Sequence, residues 1–226
     1  MYVCELTDYA IASSNGNRNL NLFHFTISRG DVCSVQTDFL DDASLFLRAL
    51  ATLTVPSKGS YRFQGKRLDF SDYRKLLPVK RQIGYIAPET AMLSNRTIRQ
   101  NFLLMRSYFE DSLSLTLDDE VFRLCQLFNL VDKLDLRPAQ LDPIDLRAAI
   151  MIRELTKSPS LLVLERPEFF VGQSSLNMFM DMLQSLFAAH IPVVFLSEDT
   201  ALNRRFATRE ITIRDKHITV SDCKTE

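Results

Sequence analysis

The chain has 226 residues, with 27 Lys+Arg against 28 Asp+Glu and a formal charge of −1. That balance excludes a global basic field recruiting nucleic acid or anionic lipid. Hydrophobic and charged shares of 46% and 24% are those of a globular protein with a proper core.

No apolar run approaches the roughly 18–20 residues that span a bilayer, so no direct membrane insertion is expected. The first ten residues, MYVCELTDYA, lack the basic and apolar regions of a secretion signal. Residues 1 to about 35 read as antiparallel strands, Tyr2–Leu6 and Asn19–Ile27, joined by the polar turn Ser13–Asn17. A buried-strand run, Asp31–Val35, leads through a loop into an apolar helix ending at Leu50. Thr97 is a good N-cap for a helix over Ile98–Phe109, whose stripe is Ile98, Phe102, Met105 and Phe109. A polar break at Glu110–Ser114 precedes a second helix from Leu117, with Val121, Leu124, Leu127 and Phe128 apolar at helical period. Both stripes read as core. Strand Leu161–Leu164, helix Ser174–Ala189, strand Val193–Leu196, helix Thr200–Phe206 and a hairpin over Glu210–Val220 complete the chain.

This alternation predicts an α/β fold with a mainly parallel core sheet wrapped by helices. The reading is one domain over 1–226: an α/β core with antiparallel strands at 1–88 and 158–226, and a helical subdomain at 89–157. Cys4, Cys33, Cys125 and Cys223 are scattered without a C-x-x-C pair, which reads as free thiols in a reducing cytoplasm. His24, His190 and His217 lie too far apart for a metal site, and no metal is expected.

Gly30–Leu50 has the strand–loop–helix frame in which the phosphate-binding pattern G-x-x-x-x-G-K-[ST] belongs. Laid on without a gap, the glycines fall on Thr37 and Asp42, the lysine on Ala43 and the hydroxyl on Ser44. Only the serine matches. Asp38, Asp41 and Asp42 put carboxylates where phosphate oxygens would sit, with no lysine to offset them.

The remaining motifs keep one register. Thr54–Phe70 matches a P-x-x-G-x-[IV]-x-[FLW]-x-G hairpin at Pro56, Gly59 and Gly65. Arg81–Phe102 matches an IGYVFQ strand and a T-[VI]-x-x-N helix start at Ile83, Gly84, Tyr85, Thr97, Ile98 and Asn101, with Pro88 at the glutamine. Pro138–Leu155 fits a helix opening on L-S-G-G-Q, with S-G-G-Q read as Asp142, Pro143, Ile144 and Asp145. Leu161–Pro167 fits LLLLDEP, with Glu165 at the aspartate and Arg166 at the glutamate. Gly172 stands at a later aspartate, and Glu198 at the histidine of a strand ending T-H-D. Over nearly its full length the sequence resembles the ATPase subunits of ABC transporters, in the style of small bacterial lipid, lipoprotein and cell-division cassettes.

That resemblance implies a P-loop NTPase-like ABC cassette with degenerate catalytic positions Pro88, Glu165, Arg166, Gly172 and Glu198. The degenerate nucleotide positions are Tyr9, Thr37, Asp42, Ala43, Ser44 and Asp142–Asp145. Tyr9 stands where the family stacks an aromatic on adenine, although a strand-end residue is the favoured reading. The expectation is a pseudo-ATPase that is no enzyme, with ATP and magnesium binding absent or weak. Its partners would be a membrane permease and an intact ATPase subunit or a second copy, with the chain cytoplasmic at the inner face of the membrane. Ala91, Met92 and Leu93 are the candidate partner contacts, with folding back onto the core as the alternative. Two other functional readings stay open: a weak divergent ATPase in which Ser44 and Glu165 hold magnesium, and a soluble regulator unconnected to transport.

Overall fold

Alternating burial along the first strands builds an antiparallel sheet. The computed structural model describes residues 2–12, 19–109, 115–169, 184 and 189–223. In it β1 (Tyr2–Ala12) pairs with β2 (Asn19–Ser28) and with β4 (Lys58–Phe63), and the short β5 (Lys66–Arg67) extends the edge. Gly59 has φ +87°, and a Cβ there would lie 2.2 Å from the Asp8 carbonyl oxygen, so only glycine lets β4 approach β1.

The second sheet has the order β10-β9-β3-β8-β7-β6. Its strands are β3 (Val32–Thr37), β6 (Ile83–Ile86), β7 (Leu161–Glu165), β8 (Val193–Leu196), β9 (Arg209–Arg214) and β10 (His217–Asp222). All neighbours are parallel except the β9–β10 hairpin. Every residue of β7 is buried, as expected of a strand covered on both faces. The hairpin turns on Asp215 and Lys216, both left-handed at φ 47° and 65°, which matches the strand twist without a glycine.

Helix α1 (Leu40–Leu50) sends Phe46 and Leu47 into one core with Phe23, Phe25 and Tyr61, joining the two sheets. A second core gathers Ile98, Phe102, Val121, Cys125 and Phe128 against Ala149, Met151 and Phe195. It is built from α3 (Ile98–Phe102), α5 (Asp119–Leu127), α6 (Pro143–Leu155) and the other face of the parallel sheet. The remaining helices are α2 (Tyr73–Lys80), α4 (Leu104–Phe109) and α7 (Thr200–Phe206). Among the described residues no helix is long and apolar enough to cross a membrane.

Some local expectations change. The helix over Ile98–Phe109 is interrupted at Leu103, where the Phe102 carbonyl accepts the Thr156 hydroxyl at 3.3 Å. Leu127, expected in the core stripe, is exposed, and Cys125 takes the interior position. Helix α2, capped by Asp72 through the Arg74 N–H at 2.9 Å, was not anticipated. The Ser13–Asn17 turn, the break at 110–114 and nearly all of the helix expected over 174–189 lie outside the described residues.

Candidate functional site

The end of β3 turns sharply into α1. The Thr37 hydroxyl donates to the Phe39 carbonyl at 2.9 Å and accepts the Phe39 N–H at 3.2 Å. Only Asp38 and Phe39 separate strand from helix. Asp42, at the second glycine position, therefore lies inside the first turn of α1, with its N–H bonded to the Phe39 carbonyl at 3.0 Å. Ala43 is fully buried and brings no charge. Next to it, the Ser44 hydroxyl donates to the Glu165 carboxylate at the end of β7. The other oxygen of Glu165 accepts the Tyr85 hydroxyl at 2.8 Å. Burial, and then the charge of Glu165, holds the Tyr85 phenol well above its ordinary range. Ser44, Tyr85 and Glu165 thus converge from α1, β6 and β7 on one buried carboxylate.

Arg166 follows Glu165 with a left-handed backbone, φ 52°, fixed by its N–H on the Leu196 carbonyl at 2.8 Å. Its guanidinium stacks 4.1 Å from the Phe169 ring centroid and reaches Glu198 at 3.3 Å. Its Nε is buried with no hydrogen-bond partner among the described residues. Glu168 accepts the Ser197 hydroxyl and the Glu198 N–H, each at 3.0 Å, which ties the ends of β7 and β8 together. The motif reading took Arg166 and Glu198 as separate substitutions, but they are one ion pair. It also missed the roles of Tyr85 and Glu168: Tyr85 had counted only as a frame match, and Glu168 gave no sequence signal.

Asp142 to Asp145 form a capped helix start. Asp142 accepts the N–H groups of Ile144 and Asp145, each at 2.9 Å, so the first donors of α6 are already bonded. The Asp145 N–H bond leads the causes that lower the Asp142 pKa. Asp145 pairs with Lys133, Pro143 fills the first helical position, and Ile144 is 54% exposed. Gly172 lies outside the described residues.

Tyr9 is neither an open stacking surface nor a strand end. It is wholly buried within β1, edge-on to Phe23 and Tyr61 at centroid distances of 5.7 and 6.3 Å. The left-handed Asp8 and the irregular register beside it accompany this inward turn. Pro88 and Ala91 are exposed, Leu93 is 46% exposed, and Met92 packs against the second core. The proposed apolar trio therefore divides, with Met92 core and the other two at the surface. Arg153 donates to the Ala91 carbonyl at 2.6 Å and pins this segment from α6. No group of three metal-ligating side chains occurs among the described residues.

No protein-family profile matches the chain. It is 24% identical over 184 residues to the methionine import ATP-binding protein MetN of Mannheimia succiniciproducens, covering 81% of this chain and 52% of that protein. It is 27% identical over 180 residues to the phosphonates import ATP-binding protein PhnC 2 of a Synechococcus, covering 76% and 66%. It is 24% identical over 190 residues to the macrolide export ATP-binding/permease protein MacB of Bdellovibrio bacteriovorus, covering 84% and 29%. The chain thus spans half to two thirds of the two import proteins and under a third of the export protein.

A dimeric ATP-binding cassette described in a post-hydrolysis state bound to ADP and Pi matches with TM-score 0.83 at 16% identity, over 99% of this chain and 100% of that one. An ATP-binding subunit of an ABC transporter matches with TM-score 0.81 at 17% identity, over 97% and 90%. The fold is that of the ABC transporter cassettes, and the sequence relatives support the same kinship.

These findings overturn two expectations, that the chain is no enzyme and that its ATP and magnesium binding is absent or weak. The relatives are named ATP-binding proteins, and the matching cassette is described after hydrolysis with ADP and phosphate. Motif reading scored side chains, Ala43 for lysine and Pro88 for glutamine. It kept Ser44 and Glu165 as magnesium ligands only in the alternative of a weak divergent ATPase. The contact between the Ser44 hydroxyl and the Glu165 carboxylate is in place and joins α1 to the end of β7. That pair has the oxygen chemistry a magnesium ion takes.

Proposed function

We propose that the chain is the nucleotide-binding cassette of an ABC transport system, and that it couples ATP to a membrane permease. The observation that carries this reading is the contact between Ser44 and Glu165, joining α1 to the end of β7 in a fold that aligns with ATP-binding cassettes over its whole length. In this reading Ser44 and Glu165 hold magnesium, and the first turn of α1 faces the phosphates. The permease docks along Pro88–Asn101, where Ala91 and Leu93 are exposed. A second copy or another ATPase subunit completes the pair, at the inner face of the membrane. The style shared with lipid, lipoprotein and cell-division cassettes makes lipid or lipoprotein the proposed cargo.

The direct test is the melting temperature of the purified chain against magnesium–ATP, in the wild type, Ser44→Ala and Glu165→Gln. The wild type should be stabilised with saturation, by ~2.7 kcal/mol at ~100-fold excess over Kd. Both variants should need more nucleotide for the same shift. A wild-type melt unmoved by millimolar magnesium–ATP overturns the nucleotide part of the proposal.

A further inference from the structure

Every nucleotide site needs cationic or N–H donors for the terminal phosphate, and in this chain the usual lysine position is Ala43, a buried methyl. Arg48, on the last turn of α1, lies 3.9 Å from Glu89. Arg166 is placed differently. It directly follows the carboxylate that holds Ser44, and its backbone sits in the left-handed region that non-glycine residues rarely adopt.

Its bonding is incomplete. Glu165 is already engaged by the Ser44 and Tyr85 hydroxyls, and Glu168 by Ser197 and the Glu198 N–H. The carboxylate paired with the guanidinium is Glu198, whose side chain is 60% exposed. A pair of that kind is worth little in water. Among the described residues Nε has no partner, in a buried position where an unmade hydrogen bond is costly. Stacking on Phe169 fixes the guanidinium plane while leaving hydrogen-bonding capacity unused.

We infer that Arg166 is the phosphate-binding cation of this cassette, that it recognises the terminal phosphate of the nucleotide, and that Glu198 holds its guanidinium when that phosphate is absent. This rests on the nucleotide-binding reading above. Arginine suits the role because it keeps its charge at every working pH and offers parallel N–H donors to phosphate oxygens. Glu198 competes for the same donors, so the cassette distinguishes nucleotides by what replaces that carboxylate.

The test is equilibrium binding of magnesium–ATP and magnesium–ADP to the wild type, Arg166→Gln, Arg166→Lys and Glu198→Gln, each first shown to melt cooperatively. The wild type should prefer ATP to ADP. Arg166→Gln should lose ~10–100-fold in ATP affinity, as expected for a charged hydrogen bond, with little change for ADP. Arg166→Lys should recover part of the loss, and Glu198→Gln should bind ATP more tightly than the wild type. If the wild type binds neither nucleotide, the parent reading and this inference fall together. If the wild type prefers ATP and Arg166→Gln keeps that preference, the inference alone is overturned. If Arg166→Gln does not fold, the other two variants decide: unchanged ATP preference in both overturns it.

Discussion

Asn101 is buried and brackets Leu93 with both ends of its amide. Its Oδ1 accepts the Leu93 N–H at 2.8 Å, and its Nδ2 donates to the Leu93 carbonyl at 3.1 Å and the Thr97 carbonyl at 2.9 Å. The stretch from Pro88 to Arg96 thus returns to the start of α3 on one side chain. Asn101→Ala should leave the Leu93 N–H without its acceptor, while the Leu93 and Thr97 carbonyls keep the Arg96 and Asn101 backbone N–H groups, at a cost of about 1–3 kcal/mol. At this size that lowers Tm by several degrees. Calorimetry showing an unchanged Tm would mean that water or the capping box at Thr97 holds the segment instead.

Tyr9→Phe should leave stability unchanged or raise it, against the usual direction of core substitutions. The Tyr9 hydroxyl is buried with no hydrogen-bond partner among the described residues, while its ring packs against Phe23 and Tyr61. Removing an unsatisfied buried polar atom relieves about 1–3 kcal/mol of desolvation penalty at most, and the phenyl ring keeps the packing. A denaturant midpoint clearly lower in the variant would show a partner for that hydroxyl.

Features set within a few residues were legible in the sequence. Thr97 caps α3 as expected, and Asp215 and Lys216 make the closing turn. These depend on local donors and backbone angles, which a linear reading contains. The strand–helix alternation and the motif register likewise gave the fold. The site was less legible because its contacts are long-range: Ser44 and Glu165 are 121 positions apart, and their contact exists only once β3 and β7 share a sheet. Arg166 and Glu198 looked like two losses for the same reason. Pro78, inside α2, is a residue that argues against a helix and hides that element. Reading vacant motif positions as a vacant function went too far, because the contact between Ser44 and Glu165 forms only in the fold.

Thiol labelling should divide the four cysteines sharply. Cys4, Cys33 and Cys125 are buried, whereas Cys223 is partly accessible. Burial raises the Cys4 and Cys33 thiols to about 12 and that of Cys125 to about 11, so these three are scarcely ionised at neutral pH. A maleimide or aromatic disulfide reagent should modify one thiol in the native protein and all four in denaturant. Cys223→Ser should abolish the native-state reaction. Rapid modification of a second thiol under native conditions would show local opening of a core strand or of α5.

Lys80→Gln should stabilise the protein, most strongly near neutral pH. Lys80 ends α2, and its pKa is lowered by burial first and by the charge of Lys157 second. Lys157 is held in place by its pair with the buried Glu154, so the repulsion is built into the packing. Below the folded-state pKa, Lys80 is protonated in both folded and unfolded chains, and the folded state bears the whole penalty. As pH rises, the folded chain releases the proton before the unfolded one, whose lysine titrates near ~10.4. The wild type therefore recovers stability through that window, and the advantage of the glutamine variant shrinks. Urea midpoints for both proteins at about pH 7 and about pH 10 measure the two gaps. A variant that is less stable at neutral pH, or a gap that widens with pH, would place the Lys80 ammonium in a favourable interaction and reverse this account of the end of α2.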